Sequence, residues 1–141
     1  MKVGDYVRTK KGYIAKYKGI SKCNNIDGES EDWFIFDSTI IDDYGDRVPV
    51  EINKSYFIKT SPNIIDLIEY MDLLEVENPI TTLAGFKLSL FNPVRCDGFT
   101  KYEDGRDCII LNLDYIVDIQ KLKIKSVLTH EQYDNLKYKA G

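Results

Sequence analysis

The stretch VGDYVRTKKGYIAKYKGI, residues 3–20, alternates cationic and polar residues with aromatic and aliphatic ones on both sides of a Lys-Lys-Gly sequence. Alternation with a period of two, together with β-branched and aromatic enrichment, is typical of β-strands. Gly12 can adopt the positive φ that a tight turn needs, whereas Lys10 and Lys11 would be strained there. The stretch therefore predicts a β-hairpin that turns at Gly12.

The composition is that of a globular protein with a core of its own. The chain has 141 residues, of which 43% are hydrophobic and 12% aromatic. No apolar run approaches the roughly 20 residues that span a bilayer, and the opening MKVGDYV lacks the apolar segment of a signal peptide. Cys23, Cys96 and Cys108 have no C-x-x-C spacing. We therefore expect a soluble intracellular protein with free thiols and no membrane partner.

The charges are sorted along the chain although the net charge is only −4. Residues 1–25 contain seven Lys or Arg and one acid, and residues 26–46 contain eight acids and no base. Such blocks either neutralise each other on one surface or form two faces of opposite sign. The sequence leaves both alternatives open.

Residues 1–60 predict one small β-unit. After the hairpin, residues 33–37 (WFIFD) favour a short strand, and residues 40–52 favour a strand, a turn and a second strand. Pro49 lacks an N–H for a strand ladder, so its strand should lie at a sheet edge or contain a bulge. The short strands and regularly spaced turns are typical of a strongly bent, barrel-like sheet.

Residues 61–141 predict a short helix, a second β-unit and a C-terminal helix. Ser61 and Pro62 favour a helix start, with the helix over 62–69. Residues 69–76 either continue that helix or form a strand, since EYMDLLEV is similar to the opening KVGDYVRT and precedes a possible second strand at 83–91. Residues 93–107 are interpreted as a long polar insertion, followed by strands and a turn at 112–114.

Thr129 favours capping a C-terminal helix over 129–138. The predicted fold is therefore α+β and mostly β. It contains one or two small antiparallel barrel-like units and two short helices. Residues 1–60 and 61–141 form its two parts, with one continuous domain as the alternative.

No familiar catalytic constellation can be assembled from these residues. His130 is the only histidine, and we expect it to be an exposed residue in the first turn of a surface helix. The acids at 42–46 lack the spacing of a Ca²⁺ loop, and no glycine-rich phosphate loop occurs. The prediction is a protein that is not an enzyme, with no catalytic residues, no metal site and no cofactor.

Macromolecule binding is the favoured class of function. Lysines and aromatics in the hairpin could contact phosphates and unstacked bases, but a pI near 5.0 is unusual for a nucleic-acid-binding protein. Alternatively, a tyrosine-rich surface that includes Tyr44, Tyr102 and Tyr115 binds protein, or these tyrosines simply belong to the core. The candidate binding residues are Tyr6, Arg8, Lys10, Lys11, Tyr13, Lys16, Tyr17, Lys18 and Trp33.

Two resemblances add to this interpretation. The opening hairpin resembles the first hairpin of KOW/Tudor-type small β-barrels, which bind RNA, DNA, peptides or proteins. GDYVRTKKGYIAK, SPNIIDLIEY and IKSVLTHEQYDNLKY together resemble small uncharacterised phage and prophage proteins of low-GC Gram-positive bacteria. In that group NIIDLIE is usually followed by Val-Gly-Asp-Tyr-Val, whereas residues 70–74 here read YMDLL.

The second resemblance implies a non-enzymatic accessory protein in the cytoplasm of a bacterial host cell. Its expected partner is a host protein or ribonucleoprotein, and an anti-CRISPR-like inhibitor of an antiviral defence system is one form of it. The alternative is a nucleic-acid-binding β-barrel module that acts through the basic hairpin.

Overall fold

A computed structural model describes residues 1–24, 30–37, 48–49 and 57–133. The chain divides into two compact units, Met1–Leu67 and Ile68–Gly141. Within the described residues the secondary structure is mainly antiparallel β-sheet, as predicted. No helix in this part of the chain is long and apolar enough to cross a membrane.

The first unit contains one five-stranded sheet with the order β4-β3-β2-β1-β5. Its strands are β1 (Tyr6–Thr9), β2 (Ile14–Asn24), β3 (Ser30–Phe36), β4 (Val48–Pro49) and β5 (Phe57–Ser61). Among the described strands Pro49 lies in the edge strand, which is one of the two positions predicted from its missing N–H. The remainder of the predicted strand–turn–strand over 40–52 lies outside the described residues.

The predicted N-terminal hairpin is confirmed. Strands β1 and β2 pair antiparallel with Val7 opposite Ala15, and Gly12 has a φ of +86° in the turn. Val7 and Ala15 are buried, and partly buried aromatic side chains pack against them. The alternation of the opening stretch therefore places one face of the hairpin in the core, because successive side chains of a strand point to opposite faces.

The second unit contains a five-stranded sheet with the order β11-β10-β9-β6-β12 and a separate two-stranded hairpin, β7-β8. Its strands are β6 (Leu73–Val76), β7 (Ile80–Thr81), β8 (Lys87–Leu88), β9 (Val94–Lys101), β10 (Asp107–Leu111), β11 (Tyr115–Asp118) and β12 (Ile124–Leu128). The core of this sheet is built from apolar side chains that are fully buried, among them Leu74, Val94, Ile109, Leu111 and Val117.

Two asparagines bind the ends of the segment that includes the β7-β8 hairpin. The side-chain amide of Asn78 pairs with both the N–H and the C=O of Leu90, at 2.9 and 2.8 Å. The amide of Asn92 pairs in the same way with Val76, at 2.9 and 3.0 Å. Each asparagine side chain thus replaces one pair of backbone hydrogen bonds between strands, and together they close residues 76–92 into a loop that leaves the sheet and returns to it.

Several expectations need correction. In the described residues the sheets are open, with different strands at their two ends, so the prediction of barrel-like units is wrong. The alternatives for 69–76 are resolved in favour of strand β6, and the supposed insertion 93–107 is mainly strand β9 and a turn into β10. The polar side chains of 99–107 are exposed on this hairpin, which is why the segment resembles a loop in sequence.

The prediction of two short helices is not confirmed. Residues Ile64–Leu67 form one turn of 3-10 helix in place of a helix over 62–69. The Ser61 hydroxyl accepts a hydrogen bond from the N–H of Asn63, so it caps this turn locally. A second 3-10 turn, Ile119–Lys121, was not predicted. Residues 130–133 are helical with Thr129 as their N-cap, while 134–138 lie outside the described residues.

Candidate functional site

The structure removes Arg8 from the predicted binding surface. Its side chain is fully buried, and its Nη1 donates a hydrogen bond of 3.0 Å to the carbonyl of Leu67. This carbonyl belongs to the end of the 3-10 turn, where the partial negative charge of the peptide groups attracts a cation. Arg8 therefore stabilises the first unit, which corrects its expected role as a surface contact.

Tyr17 is also part of the core and is only 6% exposed. Its ring contacts Phe34 edge-on, with the centroids 5.7 Å apart, and Phe36 at 6.1 Å. Phe57 completes the aromatic cluster through contacts with both phenylalanines. Tyr13 is partly buried against the same core, so these two tyrosines mainly support the sheet.

The remaining residues of the hairpin set lie on β1, β2, β3 and the turn between β1 and β2. The Nζ atom of Lys16 lies 5.1 Å from the centre of the Tyr6 ring, which is a cation–π contact between paired strands. Lys10 and Lys11 are exposed in the turn, and Lys18 is exposed at an irregularity in β2. Trp33 is half-buried on β3. The structure therefore brings Tyr6 and Lys16 together and leaves Lys10, Lys11 and Lys18 exposed.

A groove of about 460 Å³ lies in the second unit between the β7-β8 hairpin and β11. The backbone N–H of Leu83 donates a 2.8 Å hydrogen bond to the carbonyl of Ile116, which holds the hairpin against the edge of the sheet. The groove is lined mainly by apolar and aromatic side chains: Leu83, Phe86, Leu88, Tyr102, Tyr115 and Ile116. Of the three tyrosines suggested as interface residues, Tyr102 and Tyr115 therefore share one concave surface, and Tyr44 lies outside the described residues.

Large apolar side chains around this groove are exposed to solvent. Phe86 is 69% exposed, Tyr102 is 47% exposed and Ile116 is 38% exposed. Single exposed apolar residues are common on protein surfaces, but several that line one groove form a surface on which a partner can bury apolar area. Phe91 is 98% exposed and does not line the groove.

His130 occupies a position that the sequence did not predict. Its Nε2 lies 3.0 Å from Oε1 of Glu69 and 3.2 Å from Oε1 of Glu131. The three side chains are between 22% and 33% exposed. The expectation of an exposed helix residue is therefore corrected: residues 61 positions apart in sequence meet, because the turn before β6 and the C-terminal helical segment are neighbours.

A buried carboxylate fixes the two segments that meet there. Asp72 is fully buried, and its two oxygens accept hydrogen bonds from the backbone N–H groups of Glu69, at 2.8 Å, and His130, at 2.9 Å. The second bond satisfies one of the N–H groups that the start of a helix leaves without an intrahelical partner. Asp72 therefore holds the backbones of Glu69 and His130 next to each other.

The histidine and Glu69 line a pocket of about 610 Å³. Arg95 contributes a cation to its wall, and the hydrogen bond from Arg95 to Asp97 raises the pKa of the guanidinium. The other side chains of the wall are Tyr70, Met71, Leu73 and Tyr133. The pocket thus combines a histidine–carboxylate cluster, a fixed positive charge and aromatic surface.

Comparison with known proteins adds no relative. No protein-family model matches the chain, and neither curated proteins nor solved structures give a match.

The sequence missed the groove and the His130 cluster for different reasons. Phe86 follows Gly85 in a turn, and because turns run over the protein surface, this position was a signal for an exposed residue. The partners of His130 gave no such signal, since Glu69 lies in an acidic run that resembles a solvated surface.

Proposed function

We propose that this protein acts by binding a host macromolecule, a protein or a ribonucleoprotein, and does not catalyse a reaction. The observation that supports this best is the apolar groove beside β11, with Phe86 exposed on its wall. Aromatic side chains at the centre of an interface supply much of the binding energy because they bury a large, rigid apolar area.

The proposal moves the binding surface from the N-terminal hairpin to the second unit. Arg8 and Tyr17 have structural roles, so the hairpin has fewer available contacts than its sequence indicates. In the groove, by contrast, Tyr102 and Tyr115 present aromatic rings and hydroxyl groups on one surface. This combination suits a protein partner, since tyrosine contributes both apolar area and a hydrogen bond.

The biological setting of the proposal rests on the sequence resemblance to phage and prophage proteins. We propose an accessory protein that works in the cytoplasm of a bacterial host. Inhibition of an antiviral defence nuclease, in the manner of anti-CRISPR proteins, is one form of this activity that needs no catalytic residue.

The test begins with capture of partners from a bacterial lysate, with and without nuclease treatment, and continues with the purified partner. We expect Phe86→Ala to weaken binding by at least about 30-fold, equivalent to about 2 kcal/mol at a hot spot. Phe91→Ala is the matched control, because Phe91 is more exposed but lies outside the groove lining. Equal affinities of the two variants and the original protein would reject the groove as the binding surface.

A second candidate is nucleic-acid binding through the hairpin. It is favoured by the exposure of Lys10, Lys11 and Lys18 in a segment, residues 1–25, that contains seven cations and one acid. Here we expect a triple Lys→Glu variant at these positions to lose binding. The affinity of the original protein should fall steeply with salt: the logarithm of the binding constant should decrease against the logarithm of the salt concentration with a slope of about 0.9 per phosphate contact. An affinity that is insensitive to salt excludes this candidate.

A further inference from the structure

The cluster of Glu69, His130 and Glu131 is the strongest candidate for a ligand site outside the apolar groove. One nitrogen and two carboxylate oxygens, one atom from each residue, all lie within 4.8 Å of one another. The two carboxylates approach the same ring nitrogen from different segments, at 3.0 and 3.2 Å. Three electron-pair donors therefore converge on one small region.

The arrangement differs from a simple histidine–carboxylate hydrogen bond. A protonated Nε2 has a single hydrogen, which can point at only one of the two carboxylate oxygens with good geometry. The two carboxylates also repel each other at this separation. A divalent cation accepts an electron pair from all three groups at once.

The distances fit a small transition-metal ion. A tetrahedral Zn²⁺ site has bonds of about 2.0–2.2 Å to nitrogen and oxygen, which places neighbouring ligand atoms about 3.4 Å apart. The two nitrogen–oxygen distances of 3.0 and 3.2 Å need to increase only slightly to reach this value, and the two carboxylate oxygens lie within 4.8 Å of each other. Glutamate side chains have several rotatable bonds through which their oxygens can adjust to an ion.

The backbone around the cluster is held in place before any ion binds. The carboxylate of Asp72 accepts hydrogen bonds from the N–H groups of Glu69 and His130, and Asp72 is fully buried. These bonds keep the backbones of two of the three ligands next to each other before binding, which lowers the conformational entropy that binding costs.

We propose that Glu69, His130 and Glu131 bind a divalent transition-metal ion, best matched by Zn²⁺. The ion takes one imidazole nitrogen and two carboxylate oxygens from the protein. Glu69 and His130 also line the pocket to which Arg95 and Tyr70 belong, so the ion would lie at the wall of this pocket. Water or an anionic group of a bound molecule would complete its four-coordinate shell.

The test uses untagged full-length protein, treated with a chelator and kept reduced. Calorimetric titration with Zn²⁺ should give one ion per chain, and the ion should shift the NMR signals of the imidazole of His130, which is the only histidine of the chain. His130→Asn and Glu69→Gln should each lower the affinity at least tenfold. Glu103→Gln is the matched control, since Glu103 is exposed in the turn between β9 and β10.

Three results would overturn the proposal. The first is a histidine signal that responds to pH but not to Zn²⁺, which identifies a proton-bridged cluster only. The second is Zn²⁺ binding of equal strength in the original protein and His130→Asn. The third is binding that survives His130→Asn but is lost in Cys23→Ser, which assigns the ion to a thiol. The NMR measurement on the original protein decides the matter even if a variant fails to fold.

Discussion

Replacement of Asp72 should destabilise the second unit much more than replacement of an exposed aspartate. Asp72 is fully buried and its carboxylate accepts two backbone hydrogen bonds, from Glu69 at 2.8 Å and from His130 at 2.9 Å. These bonds join the turn before β6 to the C-terminal helical segment. In the variant Asp72→Ala both N–H groups lose this acceptor in a place that water reaches poorly.

The expected magnitude follows from the two bonds. A hydrogen bond to a charged group contributes about 1.5–3 kcal/mol, so the loss of two in Asp72→Ala should lower the free energy of unfolding by about 3–6 kcal/mol. Asp72→Asn keeps one acceptor oxygen but points an NH₂ group at the other donor. Its expected cost is about 2–3 kcal/mol. Asp107→Asn, at an exposed position in β10, should change the free energy by no more than about 0.5 kcal/mol.

Urea unfolding followed by circular dichroism measures these differences, and amide hydrogen exchange locates them. The N–H groups of Glu69 and His130 should exchange faster in Asp72→Asn than in the original protein, because each donates to the Asp72 carboxylate. If Asp72→Asn and Asp107→Asn unfold at the same urea concentration, or if the two amides exchange at unchanged rates, the assigned role of Asp72 is wrong.

Three further outcomes are expected elsewhere in the molecule. Arg8→Met should lower the free energy of unfolding by about 1–3 kcal/mol, since it leaves a carbonyl of the 3-10 turn without its buried donor; a variant of unchanged stability in urea would contradict this role. Asn92→Asp should lower the free energy of unfolding by a similar amount at neutral pH, because a carboxylate cannot donate to the carbonyl of Val76. The loss should be smaller in acid, where a protonated carboxyl can donate again, and thermal melts at the two pH values check this. Burial raises the pKa of the Cys96 and Cys108 thiols. In Cys23→Ser we therefore expect neither thiol to react with a thiol reagent at mildly alkaline pH until guanidinium unfolds the chain. Rapid reaction of the folded protein would show instead that the thiols are accessible.

Local patterns in the sequence were sufficient for the elements whose signals are local. The alternation in residues 3–20 and the glycine at position 12 determine the first hairpin, and Pro49 determines an edge strand. The turn at 112–114 was likewise predicted, and Asn112 and Leu113 have the positive φ values of such a turn. In each case the preference resides in a few neighbouring residues, so no distant partner needs to be known.

The sequence was less informative where a polar side chain is buried. The sequence predicts Arg8 as a surface contact because it lies on the hairpin with the lysines, yet its side chain is buried and bonds to the 3-10 turn, at a residue 59 positions later in the chain. Asp72 belongs to an acidic run that resembles an exposed face, and its burial is supported by hydrogen bonds from the nearby N–H of Glu69 and from the N–H of His130, 58 residues later in the chain. The cost of burying these charges is offset by partners that the local sequence does not reveal.

The sequence by itself determined that the chain is mostly antiparallel β, because strand periodicity and turn chemistry act over a few residues. Only the tertiary structure decided which surfaces are available for function. The groove beside β11 lies where a backbone hydrogen bond from Leu83 to Ile116 joins the β7-β8 hairpin to the sheet, and the His130 cluster joins residues 61 positions apart. Contacts of such long range arise from the packing of the whole unit, and no pattern of neighbouring residues encodes them.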